Sequence, residues 1–230
     1  MTKRERYKNV LNWFQEHAGS SETELNYNNN FQLLTAVILS AQCTDKRVNM
    51  ITPKLFKDFP TPEVMANSSP EEVFDYIKSC SYPNNKAKNL VNMAKILVSD
   101  FNSEVPSDMN SLISIPGVGR KTANVMLAVA FDTPAMPVDT HVFRVSNRIG
   151  LTNNSKTPIE TEKELVKYIP EHLLSKAHHW LILHGRYICK ARSPLCEKCG
   201  LTSWCKYYQN NQMRLSQKID SLFFFSFNFL

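Results

Sequence analysis

The chain has 230 residues, of which 43% are hydrophobic and 21% charged, and 27 Lys and Arg stand against 21 Asp and Glu for a net charge of +6. That is ordinary for a soluble globular protein, with enough chain for one large domain or two small ones. No apolar run approaches the roughly 20 residues of a membrane span, and Met1 to Arg6 opens no secretory signal, so a membrane or exported protein is excluded as an expectation. The charge is uneven. Five acids and no Lys or Arg lie between Asp58 and Asp75, whereas six bases and the single acid Glu197 lie between His184 and Arg214. One stretch repels a polyanion and the other attracts it.

The spacing of apolar residues predicts helices throughout. Tyr7, Val10, Leu11 and Phe14 mark a first helix, stopped by Gly19. Phe31 to Ala41 is apolar nearly all round and reads as a central buried helix. Thr61-Pro62, Ser69-Pro70 and Thr157-Pro158 each set a cap residue before a proline that suits a first helical turn. Ser69 with Glu72 also fits a capping box. Ala87, Leu90, Val91, Ala94, Leu97, Val98 and Phe101 form a long amphipathic stripe. Ser107 to Ile115 and Thr122 to Phe131 read as two short helices around a glycine turn. Pro170 opens a last helix that closes near Gly185. Nothing alternates with period two, so the fold class is all-α: a layered helical body with a metal-stapled C-terminal lobe. The apolar end, Leu222 to Phe225 with Phe227, Phe229 and Leu230, has no functional reading.

Six cysteines divide into a lone Cys43, a lone Cys80 and a crowded set, Cys189, Cys196, Cys199 and Cys205. In a chain without a secretory signal, such crowding points to metal rather than to disulfides. Four thiolates at this spacing suit zinc or an iron–sulfur cluster equally. Cys43 and Cys80 read as small buried residues. His178, His179 and His184 precede the cysteine loop and read as packing or hydrogen-bonding groups, not ligands.

The stretch Ser114-Ile115-Pro116-Gly117-Val118-Gly119-Arg120-Lys121 is the most informative. Two glycines lead into a helix N-terminus, whose unpaired N–H groups and positive dipole end suit a phosphate. With Arg120 and Lys121 beside it, the turn reads as a contact to a nucleic-acid backbone.

Leu112 to Ala123 resembles the helix-hairpin-helix of the endonuclease III family of DNA glycosylases, with the lysine of its bifunctional members. Val138 to Val145 is similar to that family's aspartate segment. Ile38 to Gln42 is similar to its N-terminal helix motif, and His179 to Arg186 to the approach to its cluster loop. The resemblance runs from about Arg6 to Tyr207. It implies a two-lobed fold: a six-helix barrel domain over residues 22–134, and a cluster domain built from 1–21 and 135–212, with a tail of unknown role over 213–230. DNA would lie across the cleft between the lobes. It implies one [4Fe–4S] cluster on Cys189, Cys196, Cys199 and Cys205. Lys121 and Asp139 fall at the two catalytic positions. Gln42 is the residue expected to enter the base stack, and Tyr82 stands where the family often has an aliphatic wedge. Gly117, Val118, Gly119, Arg120, Lys190 and Arg192 are the remaining expected DNA contacts.

That chemistry suits the residues. An amine that attacks C1′ of the sugar forms a Schiff base once the base has left, and the iminium then permits β-elimination of the 3′ phosphate. Free lysine has a pKa of about 10.4, so a desolvated site is expected for Lys121. Asp139 would stabilise the cationic sugar or move protons, and as the residue before Thr140 it also suits a helix N-cap. The expected substrate is double-stranded DNA carrying an oxidised pyrimidine or an abasic site, with the base flipped out of the stack. A monomer in a bacterial cytoplasm is expected. The rival readings are the adenine-glycosylase branch, which lacks a lysine at the position of Lys121, and a non-catalytic DNA-binding module.

Overall fold

The computed structural model describes residues 1–19 and 23–213, so the apolar end from Leu222 lies outside the described residues. Among these, every regular element is helical: the α-helices α1 to α11, three short 3-10 turns, and a further helical stretch over residues 206–213. They fall into two compact units, one within residues 22–137 and the other formed by residues within 1–21 together with those from 138 onward.

The unit within 22–137 holds α2 (Asn30–Ser40), α3 (Asp45–Asp58), α4 (Pro62–Ala66), α5 (Pro70–Ile77), α6 (Pro83–Asp100), α7 (Met109–Ser114) and α8 (Arg120–Ala130). The apolar run of α2 makes it the centre: Phe31 to Leu39 are all buried, against α3, α6 and α8. Leu33, Leu34 and Leu39 have no exposed surface. Each contributes about 1.5–3 kcal/mol through burial. The two proline-led helices begin where the sequence places them. Ser69 Oγ accepts from Glu72 N at 3.2 Å while Ser69 N donates to the Glu72 carboxylate at 2.7 Å, a complete capping box. Such a cap stabilises a helix by about 1 kcal/mol.

Helix α3 was not legible in the apolar spacing. Only Val48, Thr52 and Leu55 are fully buried, with Ile51 and Phe56 packed partly against the core, and Pro53 sits inside the helix where proline usually breaks one. Helix α8 starts at Arg120, two residues before the expected Thr122, so Arg120 and Lys121 belong to its first turn rather than to the preceding loop.

The other unit holds α1 (Lys3–His17), α9 (Thr140–Ile149), α10 (Pro158–Tyr168) and α11 (Leu174–Tyr187). Phe14 of α1 stacks on Trp180 of α11 with ring centres 5.8 Å apart. The Tyr7 hydroxyl donates to the Leu151 carbonyl at 2.8 Å. One expectation needs correction here. Pro170 leads a 3-10 turn over Glu171–Leu173, and α11 begins only at Leu174. Helix α11 closes near Gly185, as expected, ending two residues on at Tyr187. A Cβ at Gly185 would lie 2.8 Å from the His141 Cβ. Its missing side chain therefore lets α11 approach α9 closely, and the glycine is a packing device.

Candidate functional site

In the first unit the hairpin is built from α7, the turn Ile115 to Gly119, and α8. Ile115 is buried and ends α7, and Val118 N donates back to Ile115 O at 3.1 Å. Gly117 has φ +83°, a conformation that disfavours side chains, and a Cβ there would crowd Asn89 at 3.0 Å. Gly119 caps α8 with no side chain, and the space around its Cα is open. The first N–H groups of α8 therefore have no capping side chain in front of them, as an anion site requires. Val118 packs inward. Its side chain is buried and its N–H closes the turn, so it shapes the hairpin from within. Lys121 is exposed on the first turn of α8.

Two further turns of this unit lie together. Gln42, after α2, and Tyr82, before α6, are both exposed and both left-handed, at φ 55° and 53°. Ser81 Oγ donates to Gln42 O at 2.6 Å. Lys86, which the sequence reading passed over, joins the turns from below. Its buried ammonium donates to Leu39 O at 2.8 Å, Ala41 O at 2.7 Å and Ser81 Oγ at 3.3 Å. Burial pulls its pKa below the usual lysine range. A lysine set between Tyr82 and the apolar stripe that starts at Ala87 was the available signal.

In the second unit Asp139 is the N-cap of α9. Its Oδ1 accepts from His141 N and Val142 N, both at 2.8 Å, and the carboxylate is half-buried. Both cap bonds use one oxygen, which leaves Oδ2 outside the cap.

The four cysteines of the C-terminal loop line one small cavity, walled by Ile149, Ile188, Leu195 and Leu201. Burial pushes the Cys199 thiol up to about 11 and raises Cys196 and Cys205 as well. Isolated thiolates are therefore costly here, and the site suits a cation-rich group that takes all four. No three His, Cys, Asp or Glu side chains among the described residues are spaced to hold a single metal ion. A multi-iron cluster takes one thiolate at each corner and does not require that convergence. The donor set, four sulfurs around an apolar cavity, fits such a group.

Two arginines of α9, also passed over, hold this loop. Arg144 donates to Cys189 O at 3.2 Å and to Gly185 O at 3.0 Å. Arg148 donates to Lys190 O at 2.6 Å, to Ala191 O at 2.7 Å and toward Cys189 Sγ at 3.6 Å, and its guanidinium lies 4.7 Å from the Tyr207 ring centre. Their i, i+4 spacing after Asp139 was visible; their targets, more than forty residues away, were not. Lys190 and Arg192 point from this loop with exposed side chains. His184 contacts Cys199 Sγ at 3.5 Å, and burial lowers its pKa to about 4, so it stays neutral, as a hydrogen-bonding neighbour should.

A glycine hairpin that presents a lysine, in a helical unit, narrows the class. Residues 35–171 match the family model of HhH-GPD superfamily base excision DNA repair proteins. Residues 189–205 match the iron–sulfur binding domain of endonuclease III. The fold and site thus define a base excision DNA repair protein with an iron–sulfur binding domain. The Endonuclease III of Rickettsia conorii (strain ATCC VR-613 / Malish 7) is 52% identical over 201 residues, covering 87% of this chain and 95% of its own length. A non-covalent Endonuclease III–DNA complex superposes with TM-score 0.88 at 40% identity, over 93% of this chain and 100% of that one. A trapped Endonuclease III–DNA covalent intermediate gives TM-score 0.84 at 41% identity, over 92% and 99%. The chain belongs to the endonuclease III family, and with it to the DNA glycosylases that carry AP lyase activity. No helix among the described residues is long and apolar enough to cross a membrane.

Proposed function

We propose that Lys121 is the nucleophile with which this glycosylase/AP lyase removes oxidised pyrimidines from duplex DNA, and that Asp139 is its charged partner. The observation that carries this reading is the placement of Lys121: exposed in the first turn of α8, directly after a glycine turn with uncapped N–H groups. Those N–H groups hold a phosphate, and the sugar beside it meets the amine. The Lys121 amine bonds to C1′ as the bond to the base breaks. Ring opening then gives the iminium, a C2′ proton is lost, and the C3′–O bond to the 3′ phosphate breaks. The duplex itself excludes water from the exposed lysine. Asp139 stabilises the positive charge on the sugar as the base departs, using the oxygen its cap leaves over.

The DNA contacts follow from exposure. Gly117, Gly119 and Arg120 bind backbone at the hairpin, and Lys190 and Arg192 bind phosphates at the cysteine loop. Gln42 and Tyr82 enter the stack where the damaged nucleotide has flipped out. Val118 supports the hairpin by packing. Cys189, Cys196, Cys199 and Cys205 hold one [4Fe–4S] cluster, whose part is to fix the loop that carries Lys190 and Arg192. The protein works as a monomer in a bacterial cytoplasm.

Borohydride reduction tests the central assignment. With a damaged or abasic duplex it should trap a covalent adduct that maps to Lys121. Lys121→Gln should abolish trapping and strand cleavage while DNA binding persists. Full trapping by Lys121→Gln would assign the nucleophile to another amine.

A further inference from the structure

Cys43 and Cys80 lie 37 residues apart in sequence, yet their sulfurs are 3.5 Å apart. Both are free thiols. Cys43 adjoins Gln42 in the turn after α2, and Cys80 stands two residues before Tyr82 in the turn before α6. The two thiols therefore meet at the junction of the two exposed, left-handed turns. The cysteines of the C-terminal loop belong to the other unit, so this pair is separate from the iron–sulfur site.

The geometry points to a second thiol site in this protein: Cys43 and Cys80 form an oxidisable pair that a hydroperoxide converts to a disulfide, cross-linking the Gln42 and Tyr82 turns. A disulfide needs a sulfur separation near 2.05 Å. Two thiols at 3.5 Å reach it through small side-chain rotations, and the Ser81 and Lys86 hydrogen bonds already hold the backbones in place. Access assigns the order. Cys43 is half-buried and meets the oxidant, whereas Cys80 is 5% exposed and waits behind it. The Cys43 thiolate attacks one peroxide oxygen, the O–O bond breaks, and Cys43 sulfenic acid forms with loss of hydroxide. The Cys80 sulfur then attacks the sulfenic sulfur, and hydroxide leaves with the Cys80 proton as water. In sum, two thiols and one hydrogen peroxide give one disulfide and two waters. Burial pushes the Cys80 thiol up to about 11, and the nearby Lys86 ammonium offsets this only in part, so Cys80 waits as the thiol. Such a bond in a reducing compartment is transient, formed under oxidant and reversed by thiols.

Peroxide treatment of the intact, cluster-containing protein tests this, with visible absorption followed to hold to doses that spare the cluster. Peptide mapping after alkylation should then find the Cys43 and Cys80 peptides joined and two hydrogens lighter than their sum. Dithiothreitol should release them. Cys80→Ala should stop at Cys43 sulfenic acid, which dimedone captures, and Cys43→Ser should leave Cys80 free and alkylatable only after unfolding. Alkylation of both thiols at undiminished yield after peroxide would overturn the proposal. So would oxidation of Cys43 to sulfinic acid in the parent protein with no linked peptide.

Discussion

The Arg148 guanidinium donates to the Lys190 carbonyl at 2.6 Å, so a side chain of α9 sets the path of the loop that carries the cysteines. Its second nitrogen reaches Ala191 O, and the first also approaches Cys189 Sγ. One residue thus orients both the loop backbone and one sulfur. Charge-assisted hydrogen bonds of this kind contribute about 1.5–3 kcal/mol when shielded, and less at a half-exposed site. Arg148→Ala should leave the helices folded by circular dichroism but make the iron chromophore bleach several-fold faster under a chelator. Arg148→Lys should fall between, because a single ammonium nitrogen keeps the charge but lacks the planar two-nitrogen fork that reaches Lys190 O and Ala191 O separately. Equal bleaching rates in all three proteins would show that the loop holds itself.

The glycine contacts yield a stability prediction. A Cβ at Gly200 would lie 2.5 Å from the Trp13 ring, and one at Gly185 would lie 2.8 Å from the His141 Cβ. Neither neighbour is the free end of a flexible side chain. Gly200→Ala and Gly185→Ala should each destabilise by about 1–3 kcal/mol, the usual range for overpacking. Gly19→Ala, which meets nothing within 4 Å, should not. Thermal melts of the three variants decide this. Gly185→Ala should also slow base excision, since His141 lies two residues from Asp139 and a shift of α9 carries the cap with it.

What the sequence made legible divides along physical lines. The caps at Ser69, Thr61 and Thr157 were readable because capping is local: the donor, acceptor and proline lie within one turn. The buried helix α2 was readable because its burial is written in composition. Helix α3 was hidden by Pro53 and by having only three fully buried residues. The start of α8 was misplaced because Gly119 caps by the absence of a side chain, which leaves no polar signature. The roles of Lys86, Arg144 and Arg148 were illegible for another reason. Each bonds to carbonyls up to 47 residues away, and a carbonyl has no residue identity to read. The proximity of Cys43 to Cys80 was hidden likewise.

The exposed bases of the cysteine loop bear on the grip on DNA. Lys190→Ala and Arg192→Ala should weaken binding to damaged and undamaged duplex alike. Each should reduce the slope of log K against log salt by about one unit, as for a lost phosphate contact. Fluorescence anisotropy across a salt series measures it. A slope that stays at the parent value would place these side chains away from the duplex.

Asp139 offers the sharpest separation of structure from chemistry. Its Oδ1 satisfies two N–H groups at the start of α9, and its charge is a separate asset. Asparagine caps a helix about as well as aspartate, whereas alanine loses about 0.5–2 kcal/mol at such a position. Asp139→Asn should therefore melt close to the parent temperature, and Asp139→Ala several degrees lower. Activity should divide differently. Both variants should lose base excision on a damaged pyrimidine by two or more orders of magnitude, since each removes the carboxylate proposed to stabilise the cationic sugar. On a preformed abasic site no base has to leave, so both should keep substantial borohydride trapping through Lys121. If Asp139→Asn excises a damaged base at the parent rate while Asp139→Ala does not, the aspartate acts through the helix it caps. If both lose trapping on the abasic site as well, Asp139 serves the Schiff base itself, and its role extends past departure of the base.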